Sequence, residues 1–104
     1  MSVENLSESS FKNFISKGNV IVDFYADWCG PCKIISPIVE QLAKEIKDVK
    51  FGKLDVDTEN EVAQEYDVMS IPTLIFFKNG KQVERIVGAM SKEELESVIK
   101  DTFT

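Results

Sequence analysis

The sequence predicts an α/β fold in which helices cover both faces of a central mixed sheet of four or five strands. Strand-like and helix-like segments alternate along the chain, and residues 20–26 form an apolar, β-branched run without alternation. Such a run is typical of a strand that is buried on both faces. The dipeptide Asn79-Gly80 separates two further strand-like runs and is the strongest short signal for a hairpin. The hairpin adds an antiparallel pair to strands that are otherwise joined through helices.

The first helix is marked at both ends. Ser7 precedes it as an N-cap, and Gly18 follows it as a stop signal. Leu6 and Phe11 occupy the two positions of a hydrophobic staple. Together these signals predict a helix over residues 8–16.

A longer second helix is predicted from Cys32 onward, directly after the central strand. Apolar residues recur there at intervals of three and four, which places them on one helical face: Ile35, Ile38, Val39, Leu42, Ala43 and Ile46. Pro37 lies inside this segment and predicts a bend, because proline cannot donate the helical hydrogen bond.

The middle of the chain predicts one strand and one short helix. Residues 50–56 have strand character, and a weaker strand is predicted for residues 3–6. Thr58 and Glu61 have the spacing of a capping box, which predicts a short helix ending near Tyr66.

The last third predicts the hairpin and a final helix. Residues 73–77 and 82–87 are the two strands on either side of the Asn79-Gly80 turn. Ser91 and Glu94 form a second capping box, followed by an apolar side made of Leu95, Val98 and Ile99. With no linker or repeat in between, residues 1–104 are predicted to form a single domain.

Composition excludes several classes of function. Twelve Lys and Arg against eighteen Asp and Glu leave a net charge of −6, which repels nucleic acids and anionic lipid surfaces. The apolar runs are far shorter than the roughly 18 residues that a membrane span needs. The N-terminal residues lack the features of a signal peptide, so we expect a cytoplasmic protein in a reducing compartment.

The chemistry is concentrated in the sequence Trp28-Cys29-Gly30-Pro31-Cys32, where the buried strand meets the second helix. Unpaired N–H groups and the helix dipole favour thiolate at Cys29 and lower the thiol pKa from about 8.5. Cys29, one turn earlier and nearer solvent, is therefore the predicted nucleophile, and the more buried Cys32 the resolving thiol. Gly30 permits a tight turn, and Pro31 suits a first helical turn.

Other interpretations of the motif remain open from the residues alone. A Cys-x-x-Cys pair is also half of a structural zinc site, but the chain has no His and no third Cys, so zinc would require two chains. The cysteines could also be inert core residues. Asp23 lies in an apolar strand, where desolvation raises a carboxyl pKa, and it is either a structural carboxylate or a proton-transfer group.

The pentapeptide and its position resemble the active site of the thioredoxin family. The similarity extends over the whole chain in order: the Val-Asp-Phe strand, residues 28–32, Pro37, Lys53, Ile71-Pro72-Thr73, Asn79-Gly80 and Val87-Gly88-Ala89. Membership would imply the thioredoxin fold and a dithiol carrier that reduces disulfides in client proteins. It would also imply recycling by a thioredoxin reductase that draws on nicotinamide nucleotide or ferredoxin.

The resemblance also implies roles for individual residues. It implies a cis bond before Pro72, a backbone at Ile71 that hydrogen-bonds substrate, and proton transfer between Asp23 and Cys32. Lys53 resembles the lysine that is paired with this aspartate and would tune its pKa. Trp28 and Gly88 are assigned to the substrate-binding surface, and no bound cofactor is expected. We expect a monomer.

Three departures from the family pattern concern surroundings of the site. Tyr25 replaces a common Trp, Asp67 replaces a common Gly, and the Pro often found after Asn60 is missing. A left-handed backbone at Asp67 would be tolerable, although less easy than for Gly. These departures bear on how the surface of the protein recognises its clients. Met69 is a further candidate for tuning the choice of client.

Two alternative functions remain. The chain could be an oxidant or isomerase on the same fold, or a binding scaffold whose thiols are incidental.

Overall fold

The computed structural model describes residues 3–104, which form a five-stranded mixed sheet with four helices. In chain order the elements are β1 (Val3–Asn5), α1 (Glu8–Ile15), β2 (Asn19–Tyr25), α2 (Gly30–Glu45), β3 (Val49–Asp55), α3 (Asn60–Glu65), β4 (Thr73–Lys78), β5 (Lys81–Val87) and α4 (Lys92–Thr102). The predicted α/β class is confirmed. Across residues 3–104, no helix combines the length and apolar character needed to cross a membrane.

The strand order is β1-β3-β2-β4-β5, so β2 lies in the middle of the sheet as predicted. It pairs in parallel with β3 and antiparallel with β4. β1 pairs in parallel with β3, and β5 closes the other edge antiparallel to β4. The apolar run predicted as a central strand is buried along its length, because it has a neighbour on each side and helices on each face.

The two faces of the sheet bury separate apolar clusters. Ile21 packs with α2 and α4, whereas Val20, Val22 and Phe24 pack with α1 and α3. Because successive side chains of a strand point to opposite faces, Asp23 shares the face of Ile21 and lies toward α2. This alternation decides which helix the buried carboxyl group meets.

Most of the predicted helix and turn signals are present. The Ser7 side chain accepts from the Ser10 N–H, and Ser91 and Glu94 form the predicted reciprocal capping box. The first helix ends at Ile15, close to its predicted end. Asn79 and Gly80 have φ values of 50° and 87°, the two positive values that a tight hairpin turn of this type needs.

The capping box predicted at Thr58 and Glu61 is wrong. α3 begins at Asn60 and has Glu59 as its N-cap, without a side-chain cap bond. Instead, the N–H of Glu61 donates to a Glu8 carboxylate oxygen at 3.2 Å, and the N–H of Glu8 donates to Glu59 at 2.7 Å. Each of the two helix starts therefore supplies a carboxylate that accepts a backbone N–H of the other. These long-range hydrogen bonds replace the predicted local cap of α3.

Candidate active site

The site lies at the edge of the sheet where the parallel strands β2 and β3 end and β4 begins. The loop after β2 leads to Trp28 and Cys29, and the loop after β3 contains Asp57. The Trp28 Nε1–H donates to Asp57 Oδ2 at 2.8 Å, which joins the two loops. The residue before β4 in this region is Pro72, so three chain segments converge on the cysteines.

Cys29 is the N-cap of α2. Its backbone is extended, with φ −84° and ψ 113°, and its Sγ accepts from the Cys32 N–H at 3.2 Å. The helix starts at Gly30, two residues earlier than predicted, so Gly30 and Pro31 belong to its first turn. Cys29 and Cys32 form a disulfide with their Cα atoms 5.3 Å apart. The sulfur that caps the helix is therefore also one of the two sulfurs of the disulfide.

The expected difference in exposure between the two cysteines is absent in the disulfide form. Cys29 and Cys32 are each 3% exposed, and they form a buried cluster with Ala26 against which Ile71 packs. The expectation that Cys29 is nearer solvent is therefore wrong for this form. What distinguishes the two sulfurs is hydrogen bonding, because it is the Cys29 Sγ that accepts from the backbone at the helix start.

The segment before β4 faces the cysteines. The Ile71-Pro72 peptide bond is cis, as the family resemblance implied. The Ile71 carbonyl oxygen lies 3.7 Å from Cys29 Sγ, and the Pro72 carbonyl accepts from the Gly88 N–H at 2.9 Å. Gly88 has φ 96°, a conformation that favours glycine. The backbone of Ile71 is thus held beside the Cys29 sulfur.

Asp23 is buried behind the site, with 3% of its surface exposed. Within the part of the chain that the structure describes, its Oδ1 has no hydrogen-bond partner. Burial raises the pKa of Asp23 to about 7, and the positive charge of Lys53 opposes this increase. Lys53 is the register partner of Asp23 on β3 and also lies over the Tyr25 ring, with Nζ 5.8 Å from the centroid.

A cleft of about 220 Å³ opens beside Cys32 between the ends of β2 and β3 and the start of α2. Cys32 and Lys53 both line it, so one of the two cysteines and the lysine that influences the pKa of Asp23 share one space. The complete lining consists of Tyr25, Ala26, Asp27, Cys32, Lys33, Ser36 and Lys53. Among residues 3–104, no group of three or more His, Cys, Asp or Glu side chains is arranged to hold a metal ion.

Exposed apolar side chains accompany the site. Trp28 is 70% exposed and Met69 is 91% exposed, although both belong to segments that lead to the cysteines or to Ile71. Of the predicted surface residues, Trp28 adjoins Cys29 in the chain, Ile71 lies against the cysteines, and Gly88 is joined to them indirectly through its bond to Pro72. Asp57 was not predicted, because nothing in the sequence near it indicates a partner 29 residues away.

Comparisons with known proteins agree with this geometry. The family model described as Thioredoxin matches residues 2–101. A thioredoxin from Chlamydia pneumoniae is 47% identical over 97 residues, covering 93% of this chain and 95% of the relative. Thioredoxin-2 of Saccharomyces cerevisiae is 51% identical over 85 residues, covering 80% and 82%.

Solved structures show the same architecture. A mutant thioredoxin from Halobacterium salinarum superposes with a TM-score of 0.90 at 35% identity, covering 99% of this chain and 92% of that one. A thioredoxin from Malassezia sympodialis superposes with a TM-score of 0.89 at 37% identity, with the same coverage. With its paired cysteines at the start of α2 and this similarity along nearly its full length, the chain belongs to the thioredoxin family.

Proposed function

We propose that this chain is a protein-disulfide reductase that cycles between a Cys29/Cys32 dithiol and the corresponding disulfide. The observation that carries the proposal is that Cys29 Sγ caps α2 and accepts the Cys32 N–H while bonded to Cys32. A helix N-terminus stabilises negative charge, so the same position favours a thiolate once the disulfide is reduced.

The proposed reaction has two exchange steps. The Cys29 thiolate attacks one sulfur of a client disulfide, which forms a Cys29–client bond and releases the other client sulfur as a thiolate. The Cys32 thiol then loses its proton and attacks Cys29 Sγ, which restores the Cys29–Cys32 bond and releases the second client thiolate. Two electrons pass to the client, and each released thiolate takes a proton.

Asp23 is proposed to accept the proton that Cys32 loses. Its pKa of about 7 lets the carboxyl group change its protonation state near neutral pH. The shared cleft between Cys32 and Lys53 supports this role, because it places space for proton exchange on the side of the resolving sulfur. Lys53 is proposed to tune this pKa, since its charge favours the ionised carboxylate.

Client proteins are proposed to dock on the surface around Trp28, Ile71, Pro72 and Gly88. The exposed Trp28 supplies apolar contact area, and the Ile71 backbone lies beside Cys29. Gly30 and Pro31 are proposed to tune the redox reaction from the first helical turn. We further propose a cytoplasmic monomer, one domain without bound cofactor, recycled by a flavin-containing thioredoxin reductase.

A trapping experiment tests this proposal. A Cys32→Ser variant is reduced and mixed with a protein that has an accessible disulfide, such as insulin, and the products are resolved by mass spectrometry. The variant is expected to accumulate a mixed disulfide at Cys29, because the resolving thiol is missing. A Cys29→Ser variant is the matched control and should trap nothing. Trapping at Cys32 in that control, with none at Cys29, would contradict the assigned roles.

Equilibration with glutathione determines the direction of electron flow. A reductase is expected to have a potential below that of the glutathione pool. A potential well above it would favour the oxidant or isomerase. The binding-scaffold alternative would be favoured if a partner still bound after both thiols were alkylated and the protein had no reductase activity.

A further inference from the structure

The one arginine of the chain, Arg85, reaches from the edge strand β5 to the end of α3. Its Nη2 donates to the Tyr66 carbonyl at 2.5 Å, and its Nη1 donates to the Asp67 carbonyl at 3.2 Å. Nη2 is also 3.3 Å from Gln82 Oε1 on the same strand. A single guanidinium therefore binds two consecutive backbone carbonyls of another element.

These two carbonyls belong to a turn in which Asp67, a residue with a side chain, adopts a backbone conformation that favours glycine. Asp67 has φ 53°, the left-handed region that glycine normally occupies at a helix end. The Asp67 N–H donates to Gln64 at 3.1 Å and the Val68 N–H donates to Ala63 at 2.9 Å, which closes the helix. Arg85 completes this turn from outside, and its charge also complements the helix C-terminus.

The turn leads directly into the segment that faces Cys29. Four residues after Asp67, the Ile71 carbonyl lies 3.7 Å from the Cys29 sulfur. The far end of this segment is held by two hydrogen bonds, from Thr73 Oγ1 to the Ser70 carbonyl at 2.5 Å and from the Gly88 N–H to the Pro72 carbonyl at 2.9 Å. Arg85 holds the near end.

We propose that Arg85 is a positioning residue for client docking: by binding the carbonyls of Tyr66 and Asp67, it fixes the path of residues 68–71 beside Cys29. This inference rests on the proposed reductase function and adds a residue that does not contact the reacting sulfurs. The guanidinium fork binds both carbonyls at once, whereas a lysine ammonium presents a single point charge. Docking of a protein client requires this path, and attack on a small disulfide does not.

The test compares a protein disulfide with a small aromatic disulfide such as 5,5′-dithiobis(2-nitrobenzoic acid). Arg85→Gln is expected to raise KM for insulin about 5-fold with kcat unchanged, because residues 68–71 would be held less firmly in the path that docking needs. The rate with the small disulfide is expected to stay equal to that of the parent. The KM of Arg85→Lys for insulin should lie between that of the parent and that of Arg85→Gln. Lys81→Gln removes the same charge from an exposed position of β5 and should match the parent.

A second substitution separates positioning from general stability. Asp67→Gly relieves the left-handed backbone, so it should restore a parental KM in the Arg85→Gln background and change the parent little. An unchanged KM in Arg85→Gln, an equal effect in Lys81→Gln, or no restoration by Asp67→Gly would overturn the proposal. An equal loss with the small disulfide would also overturn it, since the cysteines themselves would then be perturbed.

Failure of the proposed function has a different signature. In that case the parent reduces neither the protein disulfide nor the small one, whatever residue stands at position 85. The two bonds from Arg85 to the Tyr66 and Asp67 carbonyls, here called the Arg85 clamp, are then tested by amide hydrogen exchange of Val68 in the disulfide form. The exchange rate is expected to rise in Arg85→Gln and to return to the parental value when Asp67→Gly is added. Unchanged exchange in Arg85→Gln would reject the clamp independently of any activity.

Discussion

The starts of α2 and α4 are built with the same hydrogen bond but different chemistry. At α4, Ser91 Oγ accepts from the Glu94 N–H at 3.1 Å, and Glu94 returns a bond to the Ser91 backbone. At α2, Cys29 Sγ accepts from the Cys32 N–H at 3.2 Å. The sulfur thus takes the place of an ordinary capping oxygen.

The charges around the two helix starts also differ. The first turn of α4 contains Glu93 and Glu94, which complement the positive end of the helix with exposed carboxylates. The first turn of α2 consists of Gly30, Pro31 and Cys32 and contains no acidic residue, so a thiolate at the N-cap would be the anion that meets the positive end of this helix. A buried carboxyl group, Asp23, lies on β2. The two helix starts thus share a capping bond and differ in the capping atom and in the acidity of the first turn, the two features on which the proposed reactivity of Cys29 depends.

The largest effect is expected from Cys29→Ser, which gives α2 the cap of α4. Serine preserves the capping bond but is a far weaker nucleophile, so the rate of protein-disulfide reduction should fall by about 10³-fold or more. Initial rates with insulin measure the loss, and circular dichroism checks that the fold is retained. A rate close to that of the parent would show that capping geometry, not sulfur, carries the activity.

The second prediction concerns the buried carboxyl group behind α2. The pKa of Asp23 rises from 3.8 to about 7 on folding, so the folded state binds the proton more tightly than the unfolded state. The contribution of Asp23 to the free energy of unfolding should therefore be largest below pH 4 and decline between pH 4 and pH 7. Over that interval the difference is roughly 4 kcal/mol. Asp23→Asn should remove this decline and be more stable than the parent at pH 8.

Urea unfolding of the disulfide form across this pH range measures the effect. Asp48→Asn, at an exposed position, is the control and should keep the parental pH dependence. Lys53→Met should raise the pKa of Asp23 further, because it removes the charge that opposes the increase. An Asp23→Asn variant with the parental slope would show that this group does not ionise in the range.

The third prediction tests the cap that has no chemical role. Ser91→Ala should lower the free energy of unfolding by about 1 kcal/mol, the usual cost of losing an N-cap oxygen. Reduction of insulin should be unaffected, since α4 contributes none of the residues around the sulfurs. Denaturation and activity are measured on the same preparation. A parallel loss of activity would mean that the two helix starts are coupled.

The smallest effect is expected when acidity is added to α2. Gly30→Glu introduces a carboxylate at the first helical position, where an added Cβ meets nothing within 4 Å. The added negative charge should lower the thiolate fraction of Cys29 and slow its alkylation by iodoacetamide at pH 7 about 2- to 5-fold. Gly30→Ala controls for the added carbon. Equal rates in the two variants would show that first-turn acidity is irrelevant to the sulfur.

Local signals in the sequence predicted most features whose interacting residues lie within a few positions of each other. The capping box at Thr58 and Glu61 is the exception, because long-range bonds replace it. The caps at Ser7 and Ser91, the turn at Asn79-Gly80, and the position of Cys29 between a buried strand and a helix were all predicted and are present. Each depends on backbone geometry that a few neighbouring residues set. The cis bond before Pro72 came only from the family resemblance.

Contacts between distant residues were beyond such signals. The bonds of Glu8 with Glu59 and Glu61, the Trp28–Asp57 bond and the Arg85 clamp join residues separated by 18 to 53 positions. The equal burial of the two cysteines likewise involves Ile71, which packs against them and lies 42 positions from Cys29. Short-range patterns can specify strands, helices and their ends, because those depend on local geometry. Which side chains meet across the molecule depends on the order of the strands in the sheet and on the packing of the helices against it. The tertiary structure determines both, and short-range sequence patterns do not.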